Sequence, residues 1–433
     1  MCVLAGFALA ACGRGHPVPK TSYGAHPQLP APDKSLLPTV NFATAMPWPA
    51  GEAPRAPKGF AVTRFAESMD NPRWLYVLPN GDVLVAESST IPRPPKSLED
   101  RLQFWLERND HVIKPSANRI TLLRDADGDG KVEMRTVFLS GLNRPFGMAL
   151  VEGFFYVANT DGVWRYPYRG GETAIGDRGE KILTLPEGGY NNHWTRNLLV
   201  SADGAKLFVT VGSGSNVGEH GIANETRRAN VLEINLDGSG ERVVASGIRN
   251  PNGLAYDTKT GVLWTVANER DMLGDDLVPD YLTRVRDGDF YGWPYSYWGK
   301  HIDDRVTPQR PDLVAKAIAP DYALGPHTAS LGLAFYTANA FGPHYRGGAF
   351  IGQHGSWNRA AFSGYRVIYV PFASGMPSGP PEDFLTGFLH DPDKGIAYGR
   401  PVGVAVDHSG ALLVADDIGN IVWRVAPAVN PTP

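Results

Sequence analysis

Cysteine is nearly absent from this chain. Of its 433 residues only Cys2 and Cys12 are cysteines, both at the extreme N-terminus. The body of the chain therefore carries neither a disulfide framework nor a thiolate metal site. Runs of one charge are also missing. The formal net charge is −4, from 41 basic and 45 acidic residues, and no Lys/Arg tract marks a nucleic-acid partner. The one N-terminal apolar run, Met1 to Ala11, is too short to span a bilayer. No Gly-x-Gly-x-x-Gly turn joins a strand pattern to a helix pattern, which argues against nicotinamide and flavin sites of that kind.

Turn formers and aromatics are plentiful instead. The chain has 49 glycines, 36 prolines and 10% aromatic residues, a composition that favours many short strands joined by turns. Three regions follow from it. Residues 1–12 end in Leu9-Ala10-Ala11-Cys12, which looks like a bacterial lipobox with Cys12 as the lipidated residue. An ordinary secretory signal is the other reading, and both imply export, to the periplasm or to an outer-membrane-anchored lipoprotein. Residues 13–58 hold a dense run of prolines and read as an extended, poorly packed linker, part of it draped over the domain that follows. Residues 59–428 read as the folded domain.

Within that domain one grammar recurs six times: a polar turn, an apolar strand, a glycine-containing turn, a second apolar strand. The turns are Asn71-Pro72-Arg73-Trp74, Asn143-Arg144-Pro145-Phe146-Gly147, Asn192-His193-Trp194-Thr195-Arg196, Arg249-Asn250-Pro251-Asn252-Gly253, His327-Thr328-Ala329-Ser330 and Arg400-Pro401-Val402-Gly403. Further strand patterns lie between them, for example Val231 to Ile234 and Tyr365 to Val370. The expected fold is all-β: a six-bladed β-propeller with four-stranded antiparallel blades. A single helix is expected in an insertion, opened by Ser97 and Asp100 and carrying Leu98, Leu102, Trp105 and Leu106 on one face.

A propeller gathers such turns around one end of its channel. That would bring together Arg144, His193, Arg249, Asn250, His327 and Arg400. A histidine on a glycine-rich turn can titrate near neutrality and accept a proton. Arg249 cannot lose its charge and suits an oxyanion. Arg400 and Arg359 can hold carboxylates. The loop from Asn268 to Asp276 offers carboxylates and carbonyls to Ca²⁺ or is simply a solvated acidic loop. The Asp125–Glu133 loop is expected to be a hairpin turn, with a weakly held ion as the alternative. The aromatic run Tyr291 to Trp298 is expected to pack between sheets rather than stack on sugar rings.

The segments Gly247-Ile248-Arg249-Asn250-Pro251-Asn252-Gly253, Glu269 to Asp276 and Asp289-Phe290-Tyr291-Gly292-Trp293-Pro294, with His193 opening a strand that ends at Val211-Gly212-Ser213, resemble the glucose/sorbosone dehydrogenase family. These are quinoproteins that bind pyrroloquinoline quinone (PQQ), and the resemblance spans residues 60–425. It implies a six-bladed propeller that oxidises an aldose or sorbosone-type sugar and passes electrons to an external quinone or cytochrome. It implies that His193 is the general base and Arg249 contacts the quinone carbonyl. Asn250, Arg400, Arg359 or Asn358, Arg144 and His327 are then cofactor-site residues, and the backbone carbonyls of Asp271 and Met272 hold Ca²⁺. Asn192 stands where the glucose enzymes carry aspartate, a second clamping arginine near Val402 is missing, and the family's lysine is Asn358 or Arg359. These departures fit the sorbosone or aldose-sugar branch. Two other readings stay open: a Ca²⁺-dependent propeller lactonase, and a non-catalytic, surface-anchored binding propeller.

Overall fold

The structure, a computed structural model, describes residues 15–33, 39–90 and 115–428. The lipobox residues and the helix expected from Ser97 to Leu106 lie outside them.

Among the described residues, six antiparallel sheets have four or five strands. Five are meanders that begin at Pro72–Val77, Met148–Val151, Leu198–Val200, Asn250–Tyr256 and Ser330–Phe335; the sixth begins at Pro401–Val406. Each starting strand is one of the six turn-then-strand segments read from the sequence. Three of the second strands, Val83–Glu87, Ala349–Gln353 and Leu412–Asp416, are buried along their whole length, and the other three nearly so. Both faces of each sheet are covered, so these strands read as continuous apolar runs rather than alternating ones.

A separate apolar cluster fills each gap between neighbouring sheets. Trp74, Leu84, Phe146 and Phe155 fill the first. Tyr156, Leu207 and Leu232 fill the second, Val231, Leu254 and Tyr281 the third, and Trp264, Leu333 and Ile351 the fourth. Phe350, Val367, Leu412 and Trp423 lie between the fifth and sixth sheets. Leu75, Val85, Leu413 and Val422 pack the sixth against the first. The starting strands also touch in chain order, and Pro401–Val406 touches Pro72–Val77.

The glycines in the recurring grammar have a steric cause. A Cβ on Gly147 would run into the backbone of Leu198, one on Gly253 into Leu331, one on Gly332 into Val402, and one on Gly403 into Arg73. Each glycine lets one starting strand approach the next where the sheets converge. The strands bulge at the same place, between Pro251 and Leu254, Ser330 and Gly332, Pro401 and Val404, and Pro72 and Trp74. The arrangement is all-β and propeller-like, and among the described residues the only α-helix is the single turn Pro311–Val314.

The sixth sheet takes its outer strand, Phe60–Ala66, from the start of the domain; it pairs with Ile421–Pro427 near the C-terminal end. The proline-rich segment before it is tied to the domain at several described points. Tyr23–Gly24 adds a fifth strand to the fourth sheet, and Thr44–Ala45 runs parallel to Ile396–Ala397. Trp48 is buried against Trp423, with ring centroids 5.1 Å apart, and donates Nε1–H to Asp416 Oδ2 at 2.8 Å. Proline excludes this segment from sheet interiors but not from lying over them, and at these points it drapes over the domain.

Two local expectations agree with the structure. The Asp125–Glu133 loop is a hairpin turn between Arg119–Arg124 and Met134–Leu139, with Asp125 accepting from the N–H groups of Gly128, Asp129 and Gly130. Tyr291, Trp293, Tyr295, Tyr297 and Trp298 are buried packing residues.

Candidate functional site

The third and fourth sheets bring His193, Arg249 and Asn250 together. His193 lies in the turn before Leu198–Val200, and Arg249 immediately precedes Asn250–Tyr256. The backbone N–H of Ser213 bonds to the Arg249 carbonyl at 2.8 Å, which joins the end of one sheet's second strand to the next sheet's turn. Gly212 sits in the closest approach: a Cβ there would be 2.5 Å from Asn250 Oδ1 and 2.6 Å from His193 Cβ.

The hydrogen bonds fix the His193 tautomer. Its Nδ1 lies 2.9 Å from the Ser213 carbonyl and 2.9 Å from Ser213 Oγ. The carbonyl can only accept, and Ser213 Oγ spends its own proton on the Ser215 carbonyl at 2.6 Å. Nδ1 therefore carries the hydrogen and Nε2 carries the lone pair. No described residue offers Nε2 a hydrogen bond. Burial, and then the Arg249 charge, hold the His193 pKa well below the ordinary histidine value. The ring is neutral at neutral pH, so it titrates on the acid side of the neutral range expected from sequence.

Arg249 is held on every side. It donates Nη1–H to the Glu269 carbonyl at 2.7 Å, Nε–H to the Asn216 carbonyl at 3.1 Å, and Nη2–H to Asn216 Oδ1 at 2.9 Å and Asp271 Oδ2 at 3.1 Å. Asp271 in turn pairs through Oδ1 with His327 Nδ1 at 3.3 Å. Burial alone would raise the Asp271 pKa, but His327 and Arg249 outweigh it and the carboxyl stays below its ordinary range. Burial likewise opposes the charged form of His327, and the Asp271 carboxylate outweighs that, so His327 titrates above its ordinary value.

The sequence-derived candidates divide accordingly. His193, Arg249, Asn250, Asp271, Met272, Asn358 and His327 form one contiguous group, with Asn358 Oδ1 accepting from the Met272 N–H at 2.7 Å. The ring nitrogens of His327 face Asp271 and, at 3.0 Å, the Gly274 carbonyl. These contacts tie His327 to the Asp271 loop. Arg359 is the clearest correction. Its guanidinium is fully buried among Asp275 O, Ala361 O, His16 O and Asp276 Oδ1, where it ties the acidic loop to the N-terminal segment. Sequence position could not separate it from its neighbour Asn358.

Arg400 is half-buried and donates to the His354 and Gly355 carbonyls through Nε and Nη2. Beside it, His354 Nε2 lies 2.8 Å from Asp417 Oδ2, an oxygen that also accepts from Arg73 Nη1. Burial and Arg400 push the His354 pKa down to about 4. Arg144 lies on the turn before the second sheet in a left-handed conformation, φ 51°, and its charge acts on buried Arg196.

Sequence reasoning missed three residues. Asn216 bridges Arg249 and Asp271, also donating Nδ2–H to the Asp271 carbonyl at 3.1 Å. Ser213 orients the histidine. Arg305 donates Nη1–H to both the Asp271 and Met272 carbonyls, at 2.9 and 3.3 Å. The run Gly212-Ser213-Gly214-Ser215-Asn216 carried a signal for the first two, since small polar residues in series allow close backbone approach. Nothing in the sequence around Arg305 pointed to the site.

The match to known proteins covers the stretch that carries His193, Arg249 and the Asp271 loop. The glucose/sorbosone dehydrogenase profile matches residues 169–358, and a second profile, described as TrAA12-like, matches residues 307–427. An uncharacterized protein of Borreliella burgdorferi is 30% identical over 295 residues, 66% of this chain and 76% of that one. The pyrroloquinoline quinone-dependent pyranose dehydrogenase of Coprinopsis cinerea is 26% identical over 316 residues, 56% of this chain but only 42% of that protein. The solved holo form of the PQQ domain of pyranose dehydrogenase from Coprinopsis cinerea superposes with a TM-score of 0.69 at 20% identity, covering 89% of this chain and 100% of that one. The chain belongs to the glucose/sorbosone dehydrogenase family.

The residues present suit PQQ, an anionic quinone with several carboxylates. Arg249, Arg400, Arg144 and Arg73 stand on four of the six converging turns. Asn250 Oδ1 and Arg73 Nε are buried without a hydrogen-bond partner among the described residues, as polar atoms awaiting a ligand would be. The residues do not suit Ca²⁺ as they stand. The two carbonyls expected to hold it do converge, but on the guanidinium of Arg305.

Proposed function

We propose that this protein is a PQQ-dependent sugar dehydrogenase built as a closed six-bladed propeller, oxidising an aldose or related sugar at the channel end where the six turns meet. The observation that carries the reading is His193: its protonated Nδ1 is fixed by Ser213, and its bare Nε2 sits beside a clamped arginine.

Oxidation of a sugar hydroxyl or hemiacetal removes a proton and a hydride. PQQ, when bound, supplies the acceptor for the hydride. His193 Nε2 takes the hydroxyl proton, and Ser213 O and Oγ stabilise the imidazolium by holding Nδ1–H. Arg249 places a permanent charge beside the reacting centre, where negative charge develops. Asn216, Asp271 and the Glu269 carbonyl prevent that guanidinium from turning away. Arg400, Arg144 and Asn250 supply the remaining anchoring contacts. The proton leaves His193 to solvent, since the ring is only half-buried and its pKa is low. Electrons pass on to an external quinone or cytochrome. Cys12 carries the lipid that keeps the exported protein at a membrane surface.

The test is reconstitution. Adding PQQ to the purified protein should give a bound-quinone absorbance and sugar-dependent dye reduction. Lactone hydrolysis without PQQ would favour the hydrolase reading, and neither signal would favour a binding propeller. Mass spectrometry of membrane-extracted protein should find lipid on Cys12; an unmodified chain starting elsewhere rejects the anchor.

A further inference from the structure

The carbonyls of Asp271 and Met272 point at one place. Met272 is held in a left-handed conformation, φ 68°, which turns two successive peptide units toward a common point. Paired carbonyls of this kind suit a hard divalent cation. Here the point is taken by Arg305 Nη1, at 2.9 and 3.3 Å. The guanidinium is not there by chance of a loose side chain. Its Nε and Nη2 form a two-pronged pair with Asp303 Oδ1 and Oδ2 at 2.8 and 2.7 Å. Asp303 is itself completely buried and is held from behind by the completely buried Arg270 at 3.2 Å. Gln309 also donates to the Asp303 carbonyl at 2.7 Å. Such a fork has one orientation, and it aims the remaining N–H groups at the two carbonyls.

We propose that Arg305 is a resident cation standing in for Ca²⁺, so that this protein binds its quinone without a divalent metal. A second cation could enter only if Arg305 left Asp303, stranding a buried carboxylate beside Arg270. The charge at the site is then one fixed unit supplied by the chain, rather than two units supplied by solution. The quinone clause rests on the PQQ reading above; the carbonyl clause does not.

The test uses full-length protein stripped with EGTA, in the Asp125→Asn background so that the exposed acidic turn contributes no calcium response. Melting is followed as CaCl₂ is added, for Arg305 intact, Arg305→Ala and Arg305→Lys. With Arg305 intact, Ca²⁺ should not raise the melting temperature. In Arg305→Ala the vacated carbonyls should bind Ca²⁺, and the melting temperature should rise by about 2 °C or more at saturation. In a second arm PQQ binding is followed by absorbance. Arg305-intact protein should bind equally in EGTA and in Ca²⁺, whereas Arg305→Ala should lose binding in EGTA and regain it with Ca²⁺. Calcium-dependent melting or PQQ binding with Arg305 intact overturns the proposal, and so does an Arg305→Ala protein that gains no calcium response. If Arg305→Ala does not fold, Arg305→Gln, which removes the charge at similar side-chain length, takes its place with the same expectations; Arg305→Lys, which keeps the charge, should stay indifferent to Ca²⁺, and a calcium response there equal to that of Arg305→Ala overturns the proposal. Absence of PQQ binding under every condition would sink the PQQ reading and leave Arg305 to be judged on melting alone.

Discussion

Gly212 is the position at which one methyl group tests the geometry most directly. Its φ lies outside the left-handed region, so alanine brings no backbone strain; its effect is steric alone. The added Cβ would sit 2.5 Å from Asn250 Oδ1 and 2.6 Å from His193 Cβ, against an ordinary contact of about 3.5 Å. Roughly 1 Å of movement must be found, shared between His193 and the first residue of the fourth sheet. Overpacking of this kind costs about 1–3 kcal/mol. In a chain of this size that is a fall of a few degrees in melting temperature. A displacement near 1 Å at the reacting centre lowers turnover by about 10²-fold. Gly212→Ala should show both effects by differential scanning fluorimetry and by dye reduction with PQQ bound. Gly170→Ala is the control, because a Cβ there meets nothing within 4 Å. A Gly212→Ala protein with unchanged turnover would refute the placement of His193, whatever its melting temperature.

Three further outcomes follow from the same structure. His193→Ala should leave PQQ binding nearly intact and lower turnover by about 10²–10⁴; the wild-type rate should rise with pH through an apparent pKa below 6.5 and be flat by neutrality, and a rise centred above pH 7 would contradict the burial and Arg249 effects. His327, whose folded pKa is raised, contributes stability that is present below pH 6.5 and lost as pH rises through the folded value; His327→Gln should therefore cost more at pH 5.5 than at pH 9, as melting at the two pH values would show. Trp48→Ala should cost about 3–5 kcal/mol in denaturant unfolding, a loss that a loosely tethered N-terminal segment would not produce.

The fold was legible because each sheet announces itself twice. A glycine marks where its starting strand meets its neighbour, and an apolar run marks a second strand buried on both faces. The site was legible where chemistry and backbone coincide, at His193, Arg249 and Asn250, each on a turn that the fold carries to the same end. It was illegible where a role depends on long-range pairing. Arg359 and Arg305 are equally cationic in sequence, yet one is spent on carbonyls at the base of a loop and the other faces the site. Only Asp276 and Asp303, their separate partners, tell them apart. The proline-rich segment was legible only as a stretch that would drape in part over the domain, not in where it would dock. Composition reports what a stretch cannot do within a sheet, while Trp48 finds its pocket more than 300 residues further along the chain.

The pairing of Phe60–Ala66 with Ile421–Pro427 has a mechanical consequence. Phe60 lies opposite Pro427 and Ala61 opposite Ala426, so the two ends of the domain emerge side by side. A pull between them loads the hydrogen bonds in succession from that end, as a zipper is opened, rather than all at once in shear. Tension entering from the N-terminal side must first strip Tyr23–Gly24 and Thr44–Ala45 from their partner strands, and then Trp48 from Trp423 and Asp416. That packed strap therefore acts as a strain relief, carrying the load before it reaches the seam.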